Sequence, residues 1–245
     1  MLSILYEDGQ IIAVNKPAPL LTQAPPGIPS LEALVKAHIK EKYAKPSGVY
    51  LGVPHRLDRP VSGVVVFARS SKAARRLAEQ FHERRAEKIY WAIVEGDVQL
   101  EAGTWEDWLR KIPEEARTEI AEPHSEGAKL AALHYAKLEL VSGGTLVEIH
   151  PLTGRSHQIR VQSASRGHPI RGDAVYGSAI AFGPPADQLR DRVIALHARS
   201  LTIVHPSTWE PMTFVAPVPD YWPAYSSRSA SADATPSATQ PDPTM

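Results

Sequence analysis

Six consecutive residues, Gly63-Val64-Val65-Val66-Phe67-Ala68, carry no polar side chain. A half-buried strand alternates apolar and polar residues, whereas a strand covered on both faces reads as an unbroken β-branched run. This stretch therefore predicts a central strand with packed layers on either side. Its neighbours are legible too. Residues 4–15, ILYEDGQIIAVN, are two apolar runs around Asp8-Gly9, a favoured hairpin turn pair. A second hairpin is expected from Leu133–Val141 through Gly143-Gly144 into Thr145, Leu146, Val147 and Ile149. Ile89–Val94, Leu196–Val204 and Met212–Val215 read as further strands.

Helices are fewer. Ser30 is placed to cap one whose apolar positions are Leu31, Leu34, Val35 and Ile39. Ser70 or Ser71 is placed to cap another, with Ala74, Leu77, Ala78 and Phe81 on one face and Lys72, Arg75, Arg76 and Arg84 on the other. Ser156–Ala164 reads as a short third helix. The stretch Glu101–Ala128 is polar and acidic without a clear period, and is expected to be a loop-rich insertion. Pro46-Ser47-Gly48 is expected to be loop. From Ala224 onward the chain is rich in Ser, Ala, Thr and Pro, and buries too little apolar surface to offset its ordering entropy. The expected organisation is one domain over residues 1–223 and a disordered tail over 224–245. Its class is α+β, a mixed and mostly antiparallel sheet flanked by helices.

Composition excludes several chemistries. Zero cysteines remove disulfides, Cys-ligated metal centres and thiol catalysis. No run of about 18 apolar residues exists, so no membrane span is expected. The N-terminus lacks the basic and apolar segments of a secretory signal, and a cytoplasmic location is expected. Net charge is zero, with 27 basic and 27 acidic residues, yet the signs are segregated. Nine Lys/Arg stand against five acids between His55 and Glu95, and four arginines against Asp173 alone between His150 and Val175. Such segregation allows a basic face on a neutral protein, as a phosphate-backbone partner requires.

Four clusters carry possible chemistry: HRLDR (55–59), EKIY (87–90), LTGRSHQIR (152–160) and RGDAVYG (171–177). Each has a structural explanation when taken alone, Asp58 as a salt bridge and Tyr90 as strand packing. His55, Asp58 and His157 invite a metal-dependent hydrolase reading, but no HxH or HExxH spacing supports it, and no metal is expected.

Together and in this order, HRLDRPVSG, KIYWAIVEG, LTGRSHQIR and GDAVYG resemble the motifs of the RluA-type family of RNA pseudouridine synthases. The opening LYEDGQIIAVNKPAPLLT is similar to the family's first strand pair and Lys-Pro turn. The resemblance spans about residues 4–217. It departs from the family pattern at Val61, where Thr is common, at Gln162, where His is usual, and at Pro19, where Gly is common.

The resemblance implies a mixed sheet with its active site in a central cleft, isomerisation of uridine to pseudouridine in tRNA or ribosomal RNA, and no cofactor. It implies Asp58 as the catalytic carboxylate, Tyr90 as the aromatic ring that stacks on the extruded base, and Arg160 as the cation paired with Asp58. Arg56 matches a residue that enters the RNA stack, and Ile159 an apolar pocket wall. Arg155 and His157 of the same motif are expected on the substrate. Arg59 is expected to be a surface or salt-bridging residue. The helix from Lys72 to Arg85 and the group Arg155, Arg166 and Arg171 are expected to hold phosphates. The chain is expected to be a monomer with no obligatory protein partner and no S4-type RNA-binding module. An alternative reading is a catalytically silent RNA-binding protein of the same fold.

Overall fold

The computed structural model describes residues 2–46 and 48–224. Ser47 of the expected loop, and the expected tail except Ala224, lie outside the described residues. The chain runs through β1 (Ser3–Glu7), β2 (Ile11–Lys16), α1 (Leu31–Lys42), β3 (Ser62–Ala68), α2 (Ser71–His82), β4 (Glu87–Glu95), β5 (Ala102–Lys111), β6 (Thr118–Ala121), β7 (Lys129–Val141), β8 (Gly144–Pro151), α3 (Gln158–Ala164), β9 (Leu196–Val204) and β10 (Pro211–Val215). The strands make a single ten-stranded sheet of order β1-β2-β3-β9-β4-β8-β7-β5-β6, with β10 on β9. Among the described strand pairs only β3–β9 is parallel, so the class is α+β with a mixed, mostly antiparallel sheet. No described helix is long and apolar enough to cross a membrane.

The apolar run around Val64 does form the covered strand. Every residue of β3 is buried. Val65 and Phe67 pack with Leu31, Val35 and Ile39 of α1 on one side of the sheet, while Val64 and Val66 pack with Ala73 and Leu77 of α2 on the other. The first hairpin turns where Asp8 Oδ1 accepts the amides of Gln10 and Ile11, at 2.8 and 2.7 Å. Ser30 and Ser70 cap α1 and α2, each accepting the amide three residues on.

Two expectations need correction. Glu101–Ala128 is not a loop-rich insertion, because it holds β5 and β6, which extend the sheet beyond β7. Trp105, Asp107 and Leu109 share one strand face, and the carboxylate in the middle hides the alternation. Asp107 is tolerated there because Arg166 Nη1 and Gln162 Nε2 donate to its Oδ2 at 2.9 and 2.7 Å. Helix α2 buries Ala73, Leu77 and Gln80, with Phe81 half-buried and Ala78 exposed. Gln80 is inside because its amide donates to the carbonyl of Val204 and accepts that residue's N–H, both at 2.8 Å. A side chain acting as a strand neighbour leaves no hydrophobic signal.

Two histidines are locked neutral by the fold. His197, fully buried, hydrogen-bonds Ser62 Oγ at 2.8 Å and the carbonyl of Ala216 at 3.1 Å. Burial pushes it down to about 4. His55 stacks on Phe81 and accepts the Val66 amide on Nε2 at 3.0 Å; burial, helped by Lys88, pushes it down to about 3. As the pH falls below the unfolded value of about 6.5, the unfolded chain gains protons at both positions and the folded chain does not. Stability contributed by the two neutral imidazoles is thus full above about pH 6.5 and is lost towards pH 4. The expected loss at pH 5 is up to about 2 kcal/mol per histidine. Urea midpoints at pH 7 and pH 5 check this, and equal midpoints contradict it.

Candidate active site

Asp58 stands in the loop between α1 and β3, where a short turn closes with the Val61 amide on the Asp58 carbonyl at 3.1 Å. The loop is clamped from below. Thr22 Oγ1 donates to the Leu57 carbonyl at 2.9 Å and accepts the Leu57 amide at 3.0 Å. Lys16, at the end of β2, is wholly buried, and its Nζ donates to the carbonyls of Leu20 (2.6 Å), Pro17 (3.2 Å) and Arg59 (3.3 Å). Burial pushes Lys16 down to about 7, against the pull of the Asp58 carboxylate and with that of Arg59. Neither Thr22 nor Lys16 stands out from sequence as part of the site. The only signal for the lysine is the Lys-Pro turn.

The LTGRSHQIR segment reaches Asp58 from the opposite side. Thr153 and Gln158 pin it to β7. Thr153 Oγ1 accepts the Ala132 amide at 3.0 Å and donates to Gln158 Oε1 at 2.7 Å, and Gln158 Nε2 donates to the Ala132 carbonyl at 3.0 Å. The segment then enters α3 through His157, whose left-handed backbone (φ 51°) is uncommon for a residue with a side chain. Arg160, in the first turn of α3 and 4% exposed, points back to Asp58 with Nη1 3.4 Å from Oδ2.

Arg160's closest anionic partner is another carboxylate. Its Nε and Nη2 donate to the two oxygens of Asp173 at 2.6 and 2.8 Å, a buried fork-to-fork pair. Asp173 itself is 1% exposed. It follows Gly172, whose positive φ (84°) and closeness to the Val193 carbonyl exclude a side chain; an added Cβ would lie 2.6 Å from that oxygen. The guanidinium also lies over the Tyr176 ring, 5.1 Å from its centroid. The RGDAVYG segment thus contributes Asp173 and Tyr176 to the site, two residues that spacing alone did not single out.

Tyr90 comes from the central strand β4. The register against β9 slips between Ile89 and Tyr90, a bulge of the kind that re-aims a side chain beside a site. Burial, reinforced by the Asp58 charge, pushes its hydroxyl up, so it stays protonated at neutral pH. Tyr90, Asp58, Arg160, Ile159 and His157 line one cavity of about 220 Å³. Arg56, exposed, and Arg155, whose Nε donates to the Leu130 carbonyl, stand at its rim. Lys88 lines the same cavity, and burial together with Arg84 pushes it down. A second cavity of about 580 Å³ shares Arg56, Asp58, His157 and Arg160 with the first and also includes Arg59 and Arg190.

Other basic residues are engaged elsewhere. Arg59 lies 3.9 Å from Asp191, in keeping with a salt-bridging role. Arg166 pairs with Asp107 and lies over Trp105, and Arg171 donates to the Ser142 carbonyl. Neither lines the cavity. His55 gives its Nε2 to a backbone amide, and among the described residues no group of three or more His, Asp or Glu side chains is arranged to hold a metal ion.

Chemically, the cavity offers an aromatic ring, an apolar wall and a carboxylate flanked by a guanidinium and an imidazole. Such a set can hold a planar ring against Tyr90 and Ile159 with a carboxylate beside it. Comparison with known proteins agrees. The family model of RNA pseudouridylate synthases matches residues 10–165. The dual-specificity RNA pseudouridine synthase RluA of Escherichia coli is 36% identical over 222 residues, 88% of this chain and 93% of that protein. An uncharacterized RNA pseudouridine synthase of Synechocystis is 36% identical over 225 residues, 90% of this chain and 67% of that protein. The tRNA pseudouridine synthase C of Salmonella typhi is 34% identical over 232 residues, 91% of this chain and 87% of that protein. Among solved structures, human RNA pseudouridylate synthase domain containing 1 superposes with a TM-score of 0.69 at 27% identity, covering 89% of this chain and 84% of its own.

Proposed function

The chain belongs to the RluA-type family of RNA pseudouridine synthases, and from that membership we propose that it isomerises specific uridines of tRNA or ribosomal RNA with Asp58 as its catalytic carboxylate. The reaction breaks the C1′–N1 bond, turns the uracil and rejoins it through C5, which gives up its hydrogen as N1 gains one. No electron is transferred. What carries the assignment is the convergence on one cavity of Asp58, Tyr90 and Arg160, drawn from three distant parts of the chain.

The target base must leave its stack, at a cost of a few kcal/mol. Tyr90 offsets that by stacking on it, Ile159 closes the pocket, and Arg56 fills the space the base leaves. Asp58 acts at the sugar–base junction, oriented by Arg160. Arg155 and the basic face of α2 hold phosphates, which makes binding salt-dependent. The Tyr90 hydroxyl keeps its proton while Asp58 carries its charge. Because it stays protonated, it acts at C5 only as a relay, taking the C5 proton while passing its own to solvent.

Tyr90→Phe keeps the ring and loses the hydroxyl, so RNA affinity holds while turnover falls about 100- to 10,000-fold. Tyr90→Ala loses the stack too, which also weakens binding, by about 1–3 kcal/mol. Rates and binding curves on one RNA separate the two; a Phe variant at the wild-type rate contradicts the role of the hydroxyl.

The direct test of function is tritium release from RNA carrying 5-tritiated uridine. Release from a tRNA or ribosomal RNA transcript is expected. Binding of both without release would identify a catalytically silent RNA-binding protein.

A further inference from the structure

The two groups beside Asp58 approach the same oxygen. Arg160 Nη1 is 3.4 Å and His157 Nε2 3.5 Å from Oδ2, while Oδ1 has no protein partner among the described residues. His157 is well enclosed, its side chain 12% exposed, and it lines both cavities that include Asp58.

Its other nitrogen is equally constrained. Nδ1 lies 2.9 Å from Tyr176 Oη, and the two rings meet edge to face at 83°. That phenol oxygen also accepts the Thr118 amide at 2.9 Å and lies 3.1 Å from the Thr118 carbonyl. Burial pushes the Tyr176 hydroxyl up, so it remains a donor with one proton and two acceptors in reach. Proton counting chooses between them. His157 Nε2 stands 3.5 Å from Oδ2, an approach rather than a formed hydrogen bond, and since a carboxylate oxygen only accepts, it becomes a bond only with hydrogen on that nitrogen. Burial pushes His157 down, keeping it neutral despite the upward pull of Asp58 and Asp173, with Arg160 and Arg56 opposing that pull. A neutral ring with hydrogen on Nε2 has its lone pair on Nδ1, and Tyr176 supplies the proton there. In that tautomer donors run in one direction from the Thr118 amide through Tyr176 and His157 towards Asp58, with the phenol proton turned from the Thr118 carbonyl to Nδ1.

We propose that His157 is a positioning residue for the catalytic carboxylate: held as its Nε2–H tautomer by Tyr176, it works with Arg160 to fix Oδ2 of Asp58, so that Oδ1 is the oxygen offered to the nucleotide. This rests on Asp58 being the catalytic carboxylate. It gives the strained backbone of His157 a purpose, since the left-handed turn is what brings the ring between Tyr176 and Asp58.

The test combines rates with a spectroscopic readout. His157→Leu is expected to lower kcat for tritium release about 10- to 100-fold, as for loss of one hydrogen bond to a charged group, with KM for the RNA within about twofold. His157→Gln, whose amide nitrogen reaches the Nε2 position, is expected to recover most of that loss. Nitrogen-15 NMR of histidine-labelled wild-type protein is expected to show His157 as the neutral Nε2–H tautomer, and Tyr176→Phe to admit the Nδ1–H form. A Leu variant at the wild-type rate, a Gln variant no better than Leu, a loss confined to KM, or an Nδ1–H tautomer in the wild type overturns the proposal. Should His157→Leu fail to fold, the wild-type tautomer alone decides. Asp58→Ala in the same assay separates the two levels. If it is inactive while His157→Leu is fully active, only the positioning role fails; if it too is active, the catalytic assignment fails.

Discussion

Asp58→Ala is expected to release tritium from 5-tritiated uridine RNA at least about a thousandfold more slowly than the wild type, the range seen when an acid–base or nucleophilic group is removed. RNA affinity and thermal stability should change little. Both halves of this expectation follow from the geometry. The Asp58 side chain is about a third exposed (32%), so its removal leaves no large void. Arg160 is not orphaned either, because its Nε and Nη2 remain on Asp173. The variant is therefore a clean subtraction of one carboxylate. Asp58→Asn sharpens the result, since it keeps the shape and removes the charge. An equal loss in the Asn variant assigns the chemistry to the ionised group. A large fall in melting temperature in either variant would contradict the view that Asp58 is dispensable for folding.

The opposite balance is expected at Asp173. Asp173→Ala strands the Arg160 side chain, which is 5% exposed and, among the described residues, has no other close carboxylate than Asp58 at 3.4 Å. Breaking one side of a buried ion pair costs about 3–5 kcal/mol. The expected outcome is a sharply lowered denaturant midpoint together with lost activity, because Arg160 then swings towards the remaining charge and draws Asp58 off its aim. Asp173→Asn keeps two acceptor lone pairs and the shape of the side chain, and is expected to fold better while remaining slow. Denaturation and rate measurements on the two variants check this. An Asp173→Ala protein as stable as the wild type would show that Arg160 finds adequate partners elsewhere.

These two residues also illustrate what the sequence discloses and what it withholds. Asp58, Tyr90 and Arg160 were legible because they sit in compact motifs whose order along the chain is itself informative. Strand β3 was legible because a strand covered by α1 on one side and α2 on the other needs no polar residue. Asp173 was visible only as half of a Gly-Asp turn, since the spacing between residues 160 and 173 says nothing of a bidentate pair that exists only once α3 and the following loop have packed. Lys16 and Thr22 were hidden for a related reason. They act through backbone carbonyls and amides, which every residue has and no motif records. Strand β5 and the inner face of α2 were misread because Asp107 and Gln80 point inward, and a polar residue satisfied by tertiary partners breaks the periodicity from which burial is read. The common thread is that polar groups satisfied across long sequence separations cannot be ranked before the fold brings them together.

One measurement tests the central claim most directly: pseudouridine mapping of total RNA from cells lacking the gene, complemented with either wild type or Asp58→Ala. The account predicts at least one pseudouridine in tRNA or ribosomal RNA that disappears with the gene, returns with the wild type and stays absent with Asp58→Ala. Identical maps from the two complemented strains, at every site the deletion affects, would contradict it.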